Sequence, residues 1–460
     1  MRTKYIFYFI CVLFSLLIVR LVKFVYFDSS TLVNNTYNRR LSSFDAHILR
    51  GDILDANGEV LATTELDGGV STRVYPYKSK FAHIVGFSGY TQQGVEGGYS
   101  LDLTRVDNEF LARLQNVLHG EPLRGNTVKL TLDARLQTKA FELMDGRRGA
   151  FIAIEPSTGK ILACVSNPAF DPNKVAFDWE DLSNDNEDNP LLNRALQGLY
   201  PPGSTFKIVT ALSEYRNIKD YQNFTYKCVG SQTFEDYTIH CYNNNKHGEV
   251  DIKKAFAKSC NTYFATVGEN IGGRKLAETA DSLLFNKLYP LNLNYVRSSF
   301  VLNDKSDANE IAQTSIGQGK TLVTPMHMLL LTAAAANDGL LMKPYIADSI
   351  ESPTGKQLRK VLPEPYGQLI SEEESRYLRE LMRGVVTDGT ATELDKYKFE
   401  VAGKTGTAEN TGKDHGWFVC FAGETLDAPK VAVVVLLENA GGSSKTLPVA
   451  GEFIKYALSL

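Results

Sequence analysis

Two apolar runs, Gly149–Ile154 and residues 161–165, flank the turn sequence Glu155-Pro-Ser-Thr-Gly-Lys160, and runs of that length around Pro and Gly read as a β-hairpin. Further strands are expected at Val401, at 417–422 and at Val431–Leu437. Helical signals fall between them: from Ser204, over Ile252–Ala257, over Pro325–Ala336 up to a stop at Gly339, and near 452–458. Strands that pair through hairpins, with helical blocks inserted between them, predict an α+β domain with an antiparallel sheet covered by helices on both faces. The composition shifts near Gly149, so this domain is placed at 149–460.

Residues 28–148 are expected to form a small mixed module. Asn57-Gly58 separates two short apolar runs within 50–62, a hairpin signal, and 86–98 is Gly-rich. A helical period appears only at 101–119. Residues 128–132 read as a strand, and Asp133 is placed to cap a helix over Ala134–Met144.

Residues 1–27 differ. Residues 5–19 carry no charge, and continuation through Leu21, Val22, Phe24, Val25, Tyr26 and Phe27 is interrupted only by Arg20 and Lys23. A helix of that length rises about 35 Å against a hydrocarbon core of about 30 Å, and the two basic side chains near one end can snorkel. The expectation is an uncleaved transmembrane anchor, because no clear small-x-small site follows the run; a cleaved signal peptide is the competing reading. Only four residues precede the span, which places nearly all the folded mass on the other side. A net charge of -4 and a pI near 6.1 argue against nucleic acid as a partner, and the acidic stretch 178–188 reads as a solvated loop.

Six cysteines do not make a disulfide framework. Cys228 and Cys241 could form a disulfide in an exported domain or remain free thiols. His240 and His247 lie nearby, but the spacing matches no strong ligand pattern, so no metal is expected.

The chemistry is carried by Ser204-Thr-Phe-Lys207, in the run Tyr200-Pro-Pro-Gly-Ser-Thr-Phe-Lys-Ile. If a helix begins at Ser204, Lys207 lies on the same face, one turn on, so its amine can act as base to the Ser204 hydroxyl. Gly203 permits a sharp bend before it, and the free N–H groups of a helix start would stabilise an oxyanion. Ser157-Thr-Gly-Lys160 has the same spacing but lies in the hairpin turn, with no helix after it. Downstream, Ser259-Cys260-Asn261 fits a short loop between helices. Lys404-Thr405-Gly406, followed by Thr407, puts a lysine on a strand whose glycine lets another backbone approach.

Singly, each of these has a plain structural reading: a surface lysine, a helix cap, an exposed strand residue. S-x-x-K, S-x-N and K-T-G in that order are instead the motif set of serine β-lactamases and penicillin-binding proteins. Together with Arg50-Gly51, Asn193-Arg-Ala-Leu-Gln-Gly198, His247-Gly248, Ser315-Ile-Gly-Gln-Gly319, Thr324-Pro325 and His415-Gly-Trp-Phe418, they make the chain resemble the class B penicillin-binding transpeptidases, most of all the compact penicillin-binding protein A type.

That resemblance implies a D,D-transpeptidase that needs no cofactor. Ser204 would attack the penultimate D-alanine carbonyl of a peptidoglycan stem peptide, with Lys207 as base, neutral because Lys404 shares the cleft. Backbone N–H groups of Ser204 and Thr407 would form the oxyanion hole, and Ser259 would relay a proton to the leaving D-alanine. Asn261 would bond the substrate amide, and Lys404, Thr405, Gly406 and Thr407 would bind the terminal carboxylate. β-Lactams would be trapped on Ser204. The resemblance also implies a single-pass protein of the cell membrane, anchored in lipid by its N-terminal helix with the catalytic domain outside, and a SEDS-family glycan polymerase as partner. His247 and His415 are read as structural and Trp417 as sheet core. No Glu-x-x-Leu-Asn element lies between Asn261 and Lys404 to activate water, which disfavours a β-lactamase. A D,D-carboxypeptidase and a penicillin-binding sensor or scaffold are the alternatives.

Overall fold

The computed structural model describes residues 2–23, 48–89, 93–107 and 122–460. The polar connector after the first helix and most of the helix expected over 101–119 lie outside these residues; of the latter, Ser100–Thr104 is helical.

Helix α1, Arg2–Lys23, exposes Tyr5, Phe9, Phe14 and Leu17 alike. Among the described residues no helix is long and apolar enough to cross a membrane, so the span expected from Tyr5 to Phe27 does not stand as a transmembrane helix here; residues 24–27 of it lie outside the described residues.

The larger domain is organised by five antiparallel strands: β1 (Gly149–Ile154), β2 (Ile161–Asn167), β3 (Glu400–Ala408), β4 (His415–Gly423) and β5 (Val431–Leu437), in the spatial order β3-β4-β5-β1-β2. The expected hairpin is β1–β2, with Ser157 in its turn and Phe151 opposite Val165. Every residue of β1, β4 and β5 is buried, which requires cover on both faces. The apolar helix α5 (Pro325–Ala336), buried along its whole length, packs on β1, β4 and β5. Helix α7 (Thr446–Ala457) packs on β4 and β5 and sets Phe453 against Phe151, ring centroids 4.6 Å apart. Its start at Thr446 lies earlier than the expected 452, within a turn that continues from Ser443–Lys445. Helices α2 (Lys207–Asn217), α3 (Ile252–Ala257), α4 (Asn261–Ile271) and α6 (Glu372–Thr387) form the second block, and α6 joins it to the sheet by packing on both β3 and α3.

The smaller module has its own six-stranded sheet. Ile53–Leu54 and Val60–Asp67 form the expected hairpin around Asn57-Gly58, and Thr127–Leu130 pairs with the first of them. Asp133 caps Ala134–Met144 by accepting from the Arg135 and Leu136 amides. The remaining strands on that side come from the far domain: Ala347–Glu351 pairs with Thr127–Leu130, and Gln357–Lys360 extends the edge. Inside the module Glu96 is wholly buried and accepts from Arg50 Nε at 2.5 Å and Arg73 Nε at 2.7 Å. Burial would raise its carboxyl, but Arg73 and Arg50 outweigh burial and hold it below the ordinary carboxylate value.

Candidate active site

Tyr200 enters the site tied down at its hydroxyl, which donates to Glu438 at 2.7 Å; Arg194, itself almost fully buried, donates to the same carboxylate at 2.7 Å. Two prolines follow, then Gly203 with φ of +52°. A side chain there would stand 2.4 Å from the Thr407 carbonyl oxygen, so only glycine lets the turn lie against β3. On the other side Gly317 donates no side chain either: a Cβ would come 1.9 Å from the Gly203 carbonyl, whose own amide donates to the Gly317 carbonyl at 2.9 Å.

The helix expected from Ser204 begins as a 3₁₀ turn, Gly203–Phe206, and becomes α-helical at Lys207. The tighter turn brings residues three apart into register along the axis. Lys207 Nζ consequently lies 3.1 Å from Ser204 Oγ. Phe206 anchors the turn from behind, buried against Phe285 and Phe300.

Ser259-Cys260-Asn261 joins α3 to α4, as the sequence suggests. Ser259 has φ of +56°, a left-handed conformation that is strained for serine and aims its polar atoms at Lys207. The Lys207 amine lies 2.8 Å from the Ser259 carbonyl oxygen, 3.1 Å from Ser259 Oγ and 2.6 Å from Asn261 Oδ1. A neutral amine has two hydrogens and one lone pair, so it can donate to Asn261 and the Ser259 carbonyl and still accept the Ser204 proton. Lys404 Nζ donates to Ser259 Oγ at 3.0 Å and to the Thr405 carbonyl at 3.0 Å. The Ser259 hydroxyl therefore bridges the two lysines.

Both lysines are fully buried. Burial brings Lys207 down to about 8, with Cys260 and Cys241 acting weakly in the opposite sense. Burial and then the positive charge of Lys207 hold Lys404 well below its ordinary value. The expectation that Lys404 depresses Lys207 is thus corrected: loss of solvation does that work, and the charge repulsion falls on Lys404.

Of the expected carboxylate-binding residues, Thr407 lines a cleft of about 100 Å³ together with Ser204, Asn261, His240 and Gln318. Thr405 is buried, its hydroxyl 2.5 Å from that of Thr390, a partner that no motif announced. Gly406 seats the Ser204 turn: a Cβ there would come 2.9 Å from Thr205 Cγ2 and 3.1 Å from the Pro202 carbonyl. Its placement among substrate-binding groups is corrected to a packing role. Asn261 Nδ2 donates to the His240 carbonyl at 2.8 Å, which holds the amide flat against the cleft. His415 accepts from the Asn439 amide at 3.1 Å and Trp417 Nε1 donates to the Pro201 carbonyl at 3.1 Å, both structural roles. The sequence analysis missed Gly317 and Thr390; the first lay inside the quoted Ser315–Gly319 motif, and the second had no signal beyond a Gly-Thr-Ala turn.

Comparison with known proteins matches residues 149–458 to the penicillin binding protein transpeptidase domain and residues 50–128 to the penicillin binding protein A dimerisation domain. The chain is 32% identical, over 98% of its length and 97% of the relative's, to the peptidoglycan D,D-transpeptidase PbpA of Mycolicibacterium smegmatis. It is 31% identical to the PbpA of Mycobacterium tuberculosis over 94% of each. Among solved structures, penicillin-binding protein A from M. tuberculosis as an imipenem acyl-enzyme complex superposes with a TM-score of 0.82 at 30% identity, covering 90% of this chain and all of that one. With the serine, both lysines and the Ser-x-Asn turn assembled in one cleft on such a background, the chain belongs to the class B penicillin-binding transpeptidases, of penicillin-binding protein A type.

Proposed function

We propose that the protein is a peptidoglycan D,D-transpeptidase working through an acyl-enzyme on Ser204. The observation that carries this is the Lys207 amine, buried, lowered to about 8 and 3.1 Å from Ser204 Oγ. The neutral amine takes the Ser204 proton as the oxygen attacks the penultimate D-alanine carbonyl. Backbone N–H groups of Ser204 and Thr407, brought side by side by Gly203, receive the developing oxyanion. The proton passes to the leaving D-alanine nitrogen through Ser259, which touches both lysines. An amine of a second stem peptide then attacks the ester, forms the cross-link and restores the Ser204 hydroxyl. Penicillins react at the same serine but retain their leaving group, so the ester persists.

Incubating the full chain with a stem pentapeptide and an amine acceptor tests this. Expected is D-alanine released together with cross-linked product; release without cross-link establishes the carboxypeptidase reading instead. Neither product, with penicillin still bound, supports a sensor or scaffold.

For the cell, α1 supports a membrane location. Its apolar side chains are exposed around its whole circumference, with Arg20 and Lys23 in its last turn. Our reading is that α1 holds the catalytic domain at the outer face of the cytoplasmic membrane, where stem peptides are found, beside a SEDS-family polymerase. Protease accessibility in intact spheroplasts checks this: a catalytic domain protected until lysis contradicts it.

A further inference from the structure

Beside the cleft, four potential metal ligands converge from three separate segments. Cys228 ends the strand Tyr226–Cys228, Cys241 follows the strand Tyr237–His240, and Cys260 is the middle residue of the Ser259-Cys260-Asn261 turn. The fourth, His247, is brought in by pairing: Cys228 stands opposite Gly248, which sets the preceding histidine beside it. The ligand atoms of all four lie within 4.8 Å of one another, and the three cysteines are buried. Cys228 Sγ is 3.7 Å from Cys241 Sγ, Cys241 Sγ is 3.8 Å from Cys260 Sγ, and Cys228 Sγ is 3.4 Å from His247 Nδ1.

These distances discriminate between explanations. A disulfide brings two sulfurs to about 2.05 Å. A tetrahedral zinc, with bonds of about 2.3 Å to sulfur and about 2.0 Å to imidazole nitrogen, spaces its ligands about 3.8 Å apart between sulfurs and about 3.5 Å apart between sulfur and nitrogen. The observed edges match the second pattern. Around the sulfurs, Thr262 Oγ1 lies 3.3 Å from Cys228 Sγ, 3.5 Å from Cys260 Sγ and 3.6 Å from Cys241 Sγ, the kind of hydroxyl that steadies a thiolate ligand from outside.

We propose that Cys228, Cys241, His247 and Cys260 bind one zinc ion that fixes the Ser259–Asn261 turn of the active site. Zinc is the divalent ion that three thiolates and an imidazole favour in a closed tetrahedral site. On binding, the three thiols release their protons to solvent, and the neutral histidine leaves a net charge of minus one on the site. The metal bonds join the strand pair around 226–250 to the α3–α4 connection. Two active-site groups depend on that joint. Ser259, in its left-handed conformation, adjoins the ligand Cys260, and Asn261 donates to the carbonyl of His240, the neighbour of the ligand Cys241. These four are positioning residues, since none faces the Ser204 hydroxyl.

The sequence analysis expected no metal, and the reason is topological. The ligands are spaced twelve, five and twelve residues apart, without the close cysteine pair that marks a zinc site in sequence. Only the strand pairing and the turn bring them together.

Metal content of the full chain, purified in detergent under reducing conditions and equilibrated with zinc, tests the site independently of the Ser204 chemistry. About one zinc per chain is expected, unchanged in Cys11→Ser and lowered at least about tenfold in Cys228→Ser and in His247→Ala. Should those variants fail to fold, the unaltered chain decides: cobalt added after chelation should give the thiolate-to-cobalt absorption of a tetrahedral site, and restoring zinc should restore the rate of penicillin acylation. Less than about a tenth of an equivalent of zinc in the unaltered chain overturns the proposal. So does isolation of the chain from membranes with Cys228 and Cys241 joined as a disulfide and no metal present.

Discussion

At Lys207 a single amine must be both buried and reactive. Its burial lowers the pKa to about 8, so the neutral base is a minority at pH 6 and dominates above pH 8. Deprotonation activates Ser204, so the acylation rate should rise as pH rises, by roughly tenfold from pH 6 to 7, and level off above about pH 8. Stopped-flow measurement with a fluorescent penicillin checks the profile; a flat rate over that range contradicts lysine as base. Lys207→Arg keeps the charge but supplies a group that does not deprotonate, so acylation should fall on the order of a thousandfold while the fold is retained by circular dichroism. Glu438 tests positioning. It accepts from Tyr200, Arg194 and Arg148, and Glu438→Gln leaves a buried guanidinium without its counter-charge. A loss of about 3–5 kcal/mol in denaturant unfolding is expected. The residue types at Ser204, Lys207, Ser259, Asn261 and Lys404 were all legible in sequence, because their chemistry is tied to ordered short motifs. What burial does to each lysine was not, since solvation depends on neighbours hundreds of residues away.

Among elements, the 3₁₀ turn Gly203–Phe206 is the one the site depends on, wedged between β3 and the Gly317 loop. Gly203→Ala meets both a positive φ and the Thr407 carbonyl, so the turn must leave β3. Acylation should drop by about a hundredfold or more with little change in global melting, as expected when an oxyanion donor is displaced. A melting transition lowered in proportion to activity would instead indicate a fold-wide role. The strands β1, β2, β4 and β5 were legible because each carries a continuous or alternating apolar run bounded by turn residues. The 3₁₀ character of the serine turn was not, because i+3 and i+4 spacings look alike in a four-residue window.

Over the whole molecule, the two sheets are linked by chain exchange: Ala347–Glu351 and Gln357–Lys360, from the catalytic region, complete the sheet of the smaller module. A chain starting at residue 149 would leave Ala347, Ser349 and Ile350 without their partners Leu130, Lys129 and Val128. Such a fragment should aggregate on expression while one starting at residue 48 stays soluble, because an unpaired apolar strand edge recruits other chains. Equal solubility of the two would show that the sheets stabilise themselves separately. This exchange was invisible in the sequence, where 347–360 carries an ordinary strand pattern and nothing specifies a partner more than two hundred residues away. The central claim, that the assembled molecule transfers acyl groups through Ser204, is tested most directly by reacting the full chain with benzylpenicillin and mapping the adduct by peptide mass spectrometry. The account predicts one penicilloyl group on the peptide containing Ser204, and none on the Ser204→Ala chain. An adduct on any other residue, or one of equal yield on Ser204→Ala, would contradict it.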